Sequence, residues 1–144
     1  MQKLILLIIL FTLSWSVIAE PEFPEMKNHW LRAAPPGAMM LAAYGELSNS
    51  GSDERVLIGA YSPDFNVAEI HKTIIKNDMA KMVHQPELKI ESNQQLLFKP
   101  GGLHIMLMQP NKQFVEGDEV KICLIYKDGE GTSVQHIMFP VEKK

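Results

Sequence analysis

Short apolar runs separated by turn-forming residues make up most of the chain after about residue 30. Within these runs apolar and polar positions alternate. In the run 120–126, for example, Val120, Ile122 and Leu124 fall on one face, and Lys121 and Cys123 fall on the other. A period of two is typical of half-buried strands, and beyond the N-terminal segment no stretch keeps an apolar helical period over three turns. The pattern therefore predicts a chain of strands.

Seven runs rich in branched and aromatic residues are predicted as strands. They are residues 41–47, 56–61, 67–73, 94–98, 104–108, 120–126 and 133–141. The segments between them are rich in Pro, Gly, Asn and Asp, which favour turns. Seven or more short strands in about 110 residues are typical of a Greek-key β-sandwich. We therefore expect an all-β fold.

The N-terminus has a different character. Lys3 precedes a nearly unbroken apolar block, and small residues stand at Val17 and Ala19. This is the pattern of a signal peptide covering residues 1–19, cleaved before Glu20. An uncleaved anchor is the alternative, but the block is short for a membrane span of about 20 residues. No cysteine lies near the cut, so we expect no lipid anchor there.

Residues 20–144 remain as the expected mature chain, with a loose proline-rich arm at 21–25, and their length suits one domain. A formal net charge of −3 for the whole chain and the absence of basic runs argue against nucleic acid as a partner. They also argue against membrane contact after cleavage. Cys123 is the single cysteine, so no intramolecular disulfide can form.

Methionine is over-represented: six of nine fall between residues 39 and 108. Methionine usually fills gaps in the core, and this is the role expected for Met39, Met40 and Met138. His104 and Met106 differ, because residues two apart in a strand share a face about 6.6 Å apart.

Upstream, a hairpin through the turn at 76–78 would return Met82 towards His71. Thioether sulfur is a soft, neutral ligand that suits Cu(I), and imidazole accepts either copper state. The candidate metal ligands are therefore His71, Met82, His104 and Met106. Met79, His84 and Met108 remain alternatives, because a slip in the hairpin could bring any of them to the ion.

These residues also follow a known spacing. His71, Met82, His104 and Met106, with ten, twenty-one and one residues between them, resemble the ligand pattern of periplasmic copper chaperones of the PCuAC family. The segment 99–108, KPGGLHIMLM, is the most specific part of a resemblance that covers essentially the whole mature chain.

The resemblance implies a cupredoxin-like β-sandwich with an exposed Cu(I) site formed by these four residues. It also implies a periplasmic protein that delivers copper for cytochrome c oxidase assembly, directly or through a partner such as a thioredoxin-like copper protein. We expect a monomer.

Three other functions compete with copper delivery. A blue-copper redox site needs a thiolate with nearby His and Met, but twelve residues separate Cys123 from His136, too many for such a loop. An enzyme is disfavoured because no nucleophile, phosphate-loop or zinc-helix motif appears. Copper storage without delivery would use the same ligands, so the sequence leaves it open.

Overall fold

The computed structural model describes residues 22–144, which contain ten strands and no helix. The predicted signal peptide and its cleavage point lie outside the described residues, and no membrane-spanning helix occurs within 22–144. The strands are β1 (Glu25–Arg32), β2 (Met40–Ser48), β3 (Arg55–Tyr61), β4 (Phe65–Lys76), β5 (Met79–His84), β6 (Leu88–Ile90), β7 (Gln95–Phe98), β8 (Leu103–Pro110), β9 (Glu119–Asp128) and β10 (Gly131–Glu142).

Hydrogen bonding joins the strands in the order β5-β4-β8-β7-β2-β1-β10-β9-β3-β6, with β8 also paired to β2. The link between the two halves is a short parallel pairing of β1 with β10. One half (β5, β4, β8, β7, β2 and β1) is called the first layer below, and the other half (β10, β9, β3 and β6) the second layer. The expected Greek-key β-sandwich is confirmed.

The two layers enclose one hydrophobic cluster. In the first layer Leu41, Ile105 and Leu107 are buried, and in the second layer Ile122 and Leu124 are fully buried. Their neighbours along each strand point away from the core, because successive side chains of a strand alternate between its faces. The residues flanking Ile105 therefore belong to the outer face of the first layer.

Three strands were not among the seven predicted ones. In β1, a bulge between Lys27 and Trp30, with Asn28 at φ 47°, interrupts the alternation. The six residues of β5 are exposed apart from Val83, so no buried face marks that strand in the sequence. The three residues of β6 are too few for a pattern to be recognised.

The prediction that Met39, Met40 and Met138 lie in the core is wrong. Their exposed fractions are 57%, 61% and 46%. For Met40 and Met138 the reason is strand parity: Leu41 and Phe139, one residue further on, take the core positions. Two methionines therefore stand on the outer faces of the sandwich, where filling a core gap cannot explain them.

Replacing Leu124 by alanine should lower the free energy of unfolding by about 3 kcal/mol, because a fully buried leucine is lost and a cavity remains. The measurement is urea unfolding with linear extrapolation. Val134→Ala is the control: this side chain is 41% exposed, and its loss should cost less than about 1 kcal/mol. Equal losses in the two variants would contradict the assigned faces of β9 and β10.

Candidate metal centre

A two-residue turn fixes the position of Met82. Asn77 and Asp78 both have positive φ, 51° and 59°, as a type I′ hairpin turn requires. The turn sets the register of β4 with β5, which pairs Thr73 with Met82. Because Thr73 and His71 are two residues apart in β4, Met82 lies on the same face of the sheet as His71.

A second turn positions His104. Pro100 and Gly101 occupy the centre of a turn in which the Gly102 N–H donates to the Lys99 carbonyl at 3.0 Å. Gly101 has φ 74°, which identifies a type II turn with proline and glycine at their preferred positions. The Gly102 carbonyl then accepts the Thr73 N–H at 3.1 Å, which ties this turn to β4.

The register between β4 and β8 brings the four predicted ligands to one face. His71 pairs with His104, and their ring centroids are 6.0 Å apart. Met106 follows His104 on the same face of β8, and Met82 joins from β5. Ile70 and Ile105 are buried and face the core, so the four predicted ligands lie on the outer face of the first layer.

A surface cavity of about 280 Å³ lies at this place, and Met82, His104 and Met106 are among the residues that line it. His104 and Met106 form a buried side of the cavity, with exposed fractions of 4% and 8%. Met82 is 55% exposed and stands at the mouth. The expected exposed site is therefore only partly exposed: one end is open to solvent and the other is enclosed.

Hydrogen bonds fix the tautomers of both histidines. His71 Nε2 lies 2.8 Å from the Glu69 carboxylate, and His104 Nδ1 lies 3.1 Å from the Gly102 carbonyl. Both partners only accept hydrogen bonds, so each of these nitrogens donates its proton. The other nitrogens, His71 Nδ1 and His104 Nε2, are buried and have no hydrogen-bond partner. Each carries a free lone pair in the neutral ring.

Sequence reasoning missed these two orienting acceptors. Glu69 lies two residues before His71 and therefore on its face of β4, a spacing that could have signalled the contact. The role of the Gly102 carbonyl depends on the turn geometry and has no signal in the side chains. Histidines that bind metals usually donate their second ring N–H to a carboxylate or a carbonyl, as both of these do.

The far wall of the cavity is aromatic and cationic. Arg32 and Tyr44 line it, and the guanidinium of Arg32 lies 5.3 Å from the Tyr44 ring centroid and 5.6 Å from that of Trp30. These ring faces hold the positive charge of Arg32 beside the cavity. No group of three or more His, Cys, Asp or Glu side chains with a metal-binding arrangement occurs within residues 22–144.

The three alternative ligands occupy different places. Met79 lies on the opposite face of the hairpin from Met82 and is 69% exposed. His84 shares the face of the site and pairs with His71, with ring centroids 5.7 Å apart. Met108 also shares that face, two residues beyond Met106. The hairpin register therefore favours Met82 over Met79.

Cys123 lies on the outer face of the second layer, with the core between it and the four predicted ligands. Its Sγ is 3.0 Å from His136 Nδ1 on the neighbouring strand. Burial raises the pKa of the Cys123 thiol, an effect that Lys121 partly offsets. Cys123 therefore cannot supply a thiolate to the cavity in the first layer. Strand pairing does bring Cys123 and His136 together, although twelve residues separate them in the sequence.

Solved structures with the same architecture include PCuAC domains. The copper-bound PCuAC domain from PmoF2 superposes with a TM-score of 0.65 at 23% identity, covering 83% of this chain and 92% of that domain. The solution structure of CuI-DR1885 from Deinococcus radiodurans gives 0.63 at 28% identity, covering 82% and 78%. The fold is therefore the cupredoxin-like fold of PCuAC domains, as the resemblance in sequence implied.

The family follows from the sequence match. Residues 25–140 match the family described as "Putative lipoprotein LpqE-like", and the chain belongs to this family. "Putative lipoprotein Lxx21020" of Leifsonia xyli is 31% identical over 111 residues, and "Uncharacterized protein RP573" of Rickettsia prowazekii is 36% identical over 89. The matches cover 76% and 60% of this chain, but only 66% and 49% of those proteins.

The assigned tautomers can be tested in the metal-free protein. At mildly alkaline pH, two-bond ¹H–¹⁵N correlations of labelled histidine should identify His104 as the Nδ1–H form and His71 as the Nε2–H form. Glu69→Ala removes the acceptor of His71, so this ring should populate both tautomers while His104 stays unchanged. A wild-type His104 that carries its proton on Nε2 would contradict the geometry.

Proposed function

We propose that this protein binds one Cu(I) ion through His71, Met82, His104 and Met106 and carries it to an acceptor. The observation that supports this most directly is the pair of buried imidazole nitrogens without a hydrogen-bond partner. Of the two rings, His104 lines the cavity together with both thioethers, and His71 lies beside it with its ring centroid 6.0 Å from that of His104. A buried polar atom left unpaired costs about 1–3 kcal/mol, and a bound ion would remove that cost.

The donor set favours a soft monovalent ion. Two imidazoles and two thioethers carry no charge, and thioether sulfur selects Cu(I) over the harder divalent ions. The charged groups beside the site are of opposite sign and offset each other, because Arg32 lines the cavity and Glu69 is paired with His71. A divalent ion would gain little compensating negative charge here.

The graded exposure of the ligands suits transfer better than catalysis. An incoming acceptor thiolate meets Met82 first, because this side chain is exposed at the mouth while His104 and Met106 are buried. Copper then leaves by stepwise exchange of ligands and remains Cu(I) throughout. The ligand set offers no role for a reacting group of the protein, so we propose a carrier and not an enzyme.

The setting of this activity is also part of the proposal. Residues 1–19 would be removed as a signal peptide, and residues 20–144 would act in the periplasm as one monomeric domain. The acceptor would belong to cytochrome c oxidase assembly, either a thioredoxin-like copper protein or an oxidase subunit. The copper-loaded states named for the PmoF2 domain and DR1885 support the choice of metal.

The ligand set is tested by replacing both thioethers. Met82→Leu combined with Met106→Leu keeps the volume of each side chain and should weaken Cu(I) binding by about 100-fold or more. Loss of a residue that only hydrogen-bonds to a metal ligand already lowers metal affinity by about 10–100-fold, and the loss of two ligands should cost at least as much. Affinity is measured by competition with a chromogenic Cu(I) chelator, and folding by circular dichroism.

Met138→Leu is the matched control, because Met138 is an exposed methionine on the outer face of the second layer. Its affinity should equal that of the wild type. A folded double variant that retains wild-type affinity would rule out the thioether ligands.

Storage without delivery remains the second candidate, since it requires the same ligands. The two are separated by mixing the Cu(I)-loaded protein with an apo thioredoxin-like copper protein and following the copper content of each after rapid separation. A carrier should transfer copper to the acceptor faster than it loses copper to a chelator in a parallel experiment without the acceptor. Retention of copper while the acceptor stays empty would favour storage.

A further inference from the structure

The outer face of the first layer carries more thioethers than the proposed site uses. Met108 lies two residues beyond Met106 on β8 and shares its face, about 6.6 Å further along the strand. Met40 on β2 is the direct cross-strand partner of Met108. Met106, Met108 and Met40 therefore form one continuous row, which we call the methionine row.

The pairing of Met40 with Met108 is a close one. The Gln109 N–H donates to the Met39 carbonyl at 2.8 Å, so a hydrogen bond between the two sides of the ladder lies at residues 39 and 109. The next pair, Met40 with Met108, is then a non-hydrogen-bonded pair, in which the Cα atoms are about 4.5 Å apart and the side chains are closest. Two flexible thioethers at this separation can both reach one ion.

Core packing does not explain these side chains. Met40 is 61% exposed, and the adjacent residues Leu41 and Leu107 fill the core beneath the row. Single exposed apolar residues are common on protein surfaces, but here two exposed or partly exposed methionines pair directly and adjoin a third at the proposed site. The chemistry that the three share is soft, neutral sulfur donation.

We propose that Met40 and Met108 form a staging site for a second Cu(I) ion, and this proposal rests on the proposed binding of the first ion beside it. The staging site lacks an imidazole, so it binds more weakly than the main site. Met106 adjoins the staging site but belongs to the main site. Once the first ion has left, a staged ion enters the main site by exchanging Met40 and Met108 for Met106 and His104, with no change in its oxidation state.

The test uses the protein labelled with ¹³C at its methionine methyl groups and titrated with Ag(I), a soft monovalent ion like Cu(I) that is stable in air. The first equivalent should shift the methyl signals of Met82 and Met106. The second equivalent should shift those of Met40 and Met108. Met40→Leu combined with Met108→Leu should lose the response to the second equivalent and keep the response to the first.

Met39→Leu is the matched control, because Met39 is adjacent in sequence and similarly exposed but is not part of the pair. This variant should behave as the wild type. The staging site is overturned if Met40 and Met108 do not respond to the second equivalent, or if Met39 responds to the same extent as Met40. Failure of the main site would appear separately, as a missing response of Met82 and Met106 to the first equivalent.

Discussion

The hydrogen-bond register between β4 and β8 is the constraint on which the candidate site depends. It pairs His71 with His104 and is held at one end by the bond from the Thr73 N–H to the Gly102 carbonyl. A slip of one residue in β4 would turn His71 into the core and expose Ile70. Because Ile70 and Ile105 are buried together, the core that stabilises the sandwich also holds the two imidazoles side by side.

The same register leaves two ring nitrogens in an unfavourable state. His71 Nδ1 and His104 Nε2 are shielded from water but have no protein partner, whereas the opposite nitrogens are held by Glu69 and Gly102. The rings cannot rotate to satisfy the free nitrogens without breaking these bonds. The folded protein thus maintains lone pairs ready for a ligand, and a ligand that binds them will also stabilise the fold.

Much of this arrangement could be predicted from local sequence. The shared face of His104 and Met106 follows from the strand period, and the return of Met82 towards His71 follows from the tight turn at Asn77 and Asp78. The register between β4 and β8 could not be predicted in the same way, because bonds between residues distant in sequence determine it. The hypothesis that the two pairs meet rested on the soft donor chemistry that they share and on the resemblance to a known ligand spacing.

Elements with little burial were the hardest to predict. The strand β5 has almost no buried face and so gives no alternation, although it carries Met82. Met40 and Met138 were misplaced because methionine is common in cores, and the sequence does not say which parity of a strand faces inward when both neighbours are apolar. Hydrogen bonds to a backbone carbonyl, such as that of Gly102, depend on the folded turn.

The position of β5 has a consequence for the dynamics of release. This strand lies at the edge of the sheet and is hydrogen-bonded only to β4. For edge segments with few buried contacts, the free energy of local opening is much lower than the free energy of global unfolding. Fraying of β5 would carry the Met82 sulfur away while His104 and Met106 stay anchored in the central strand β8, so an ion bound as proposed would lose one ligand without global unfolding.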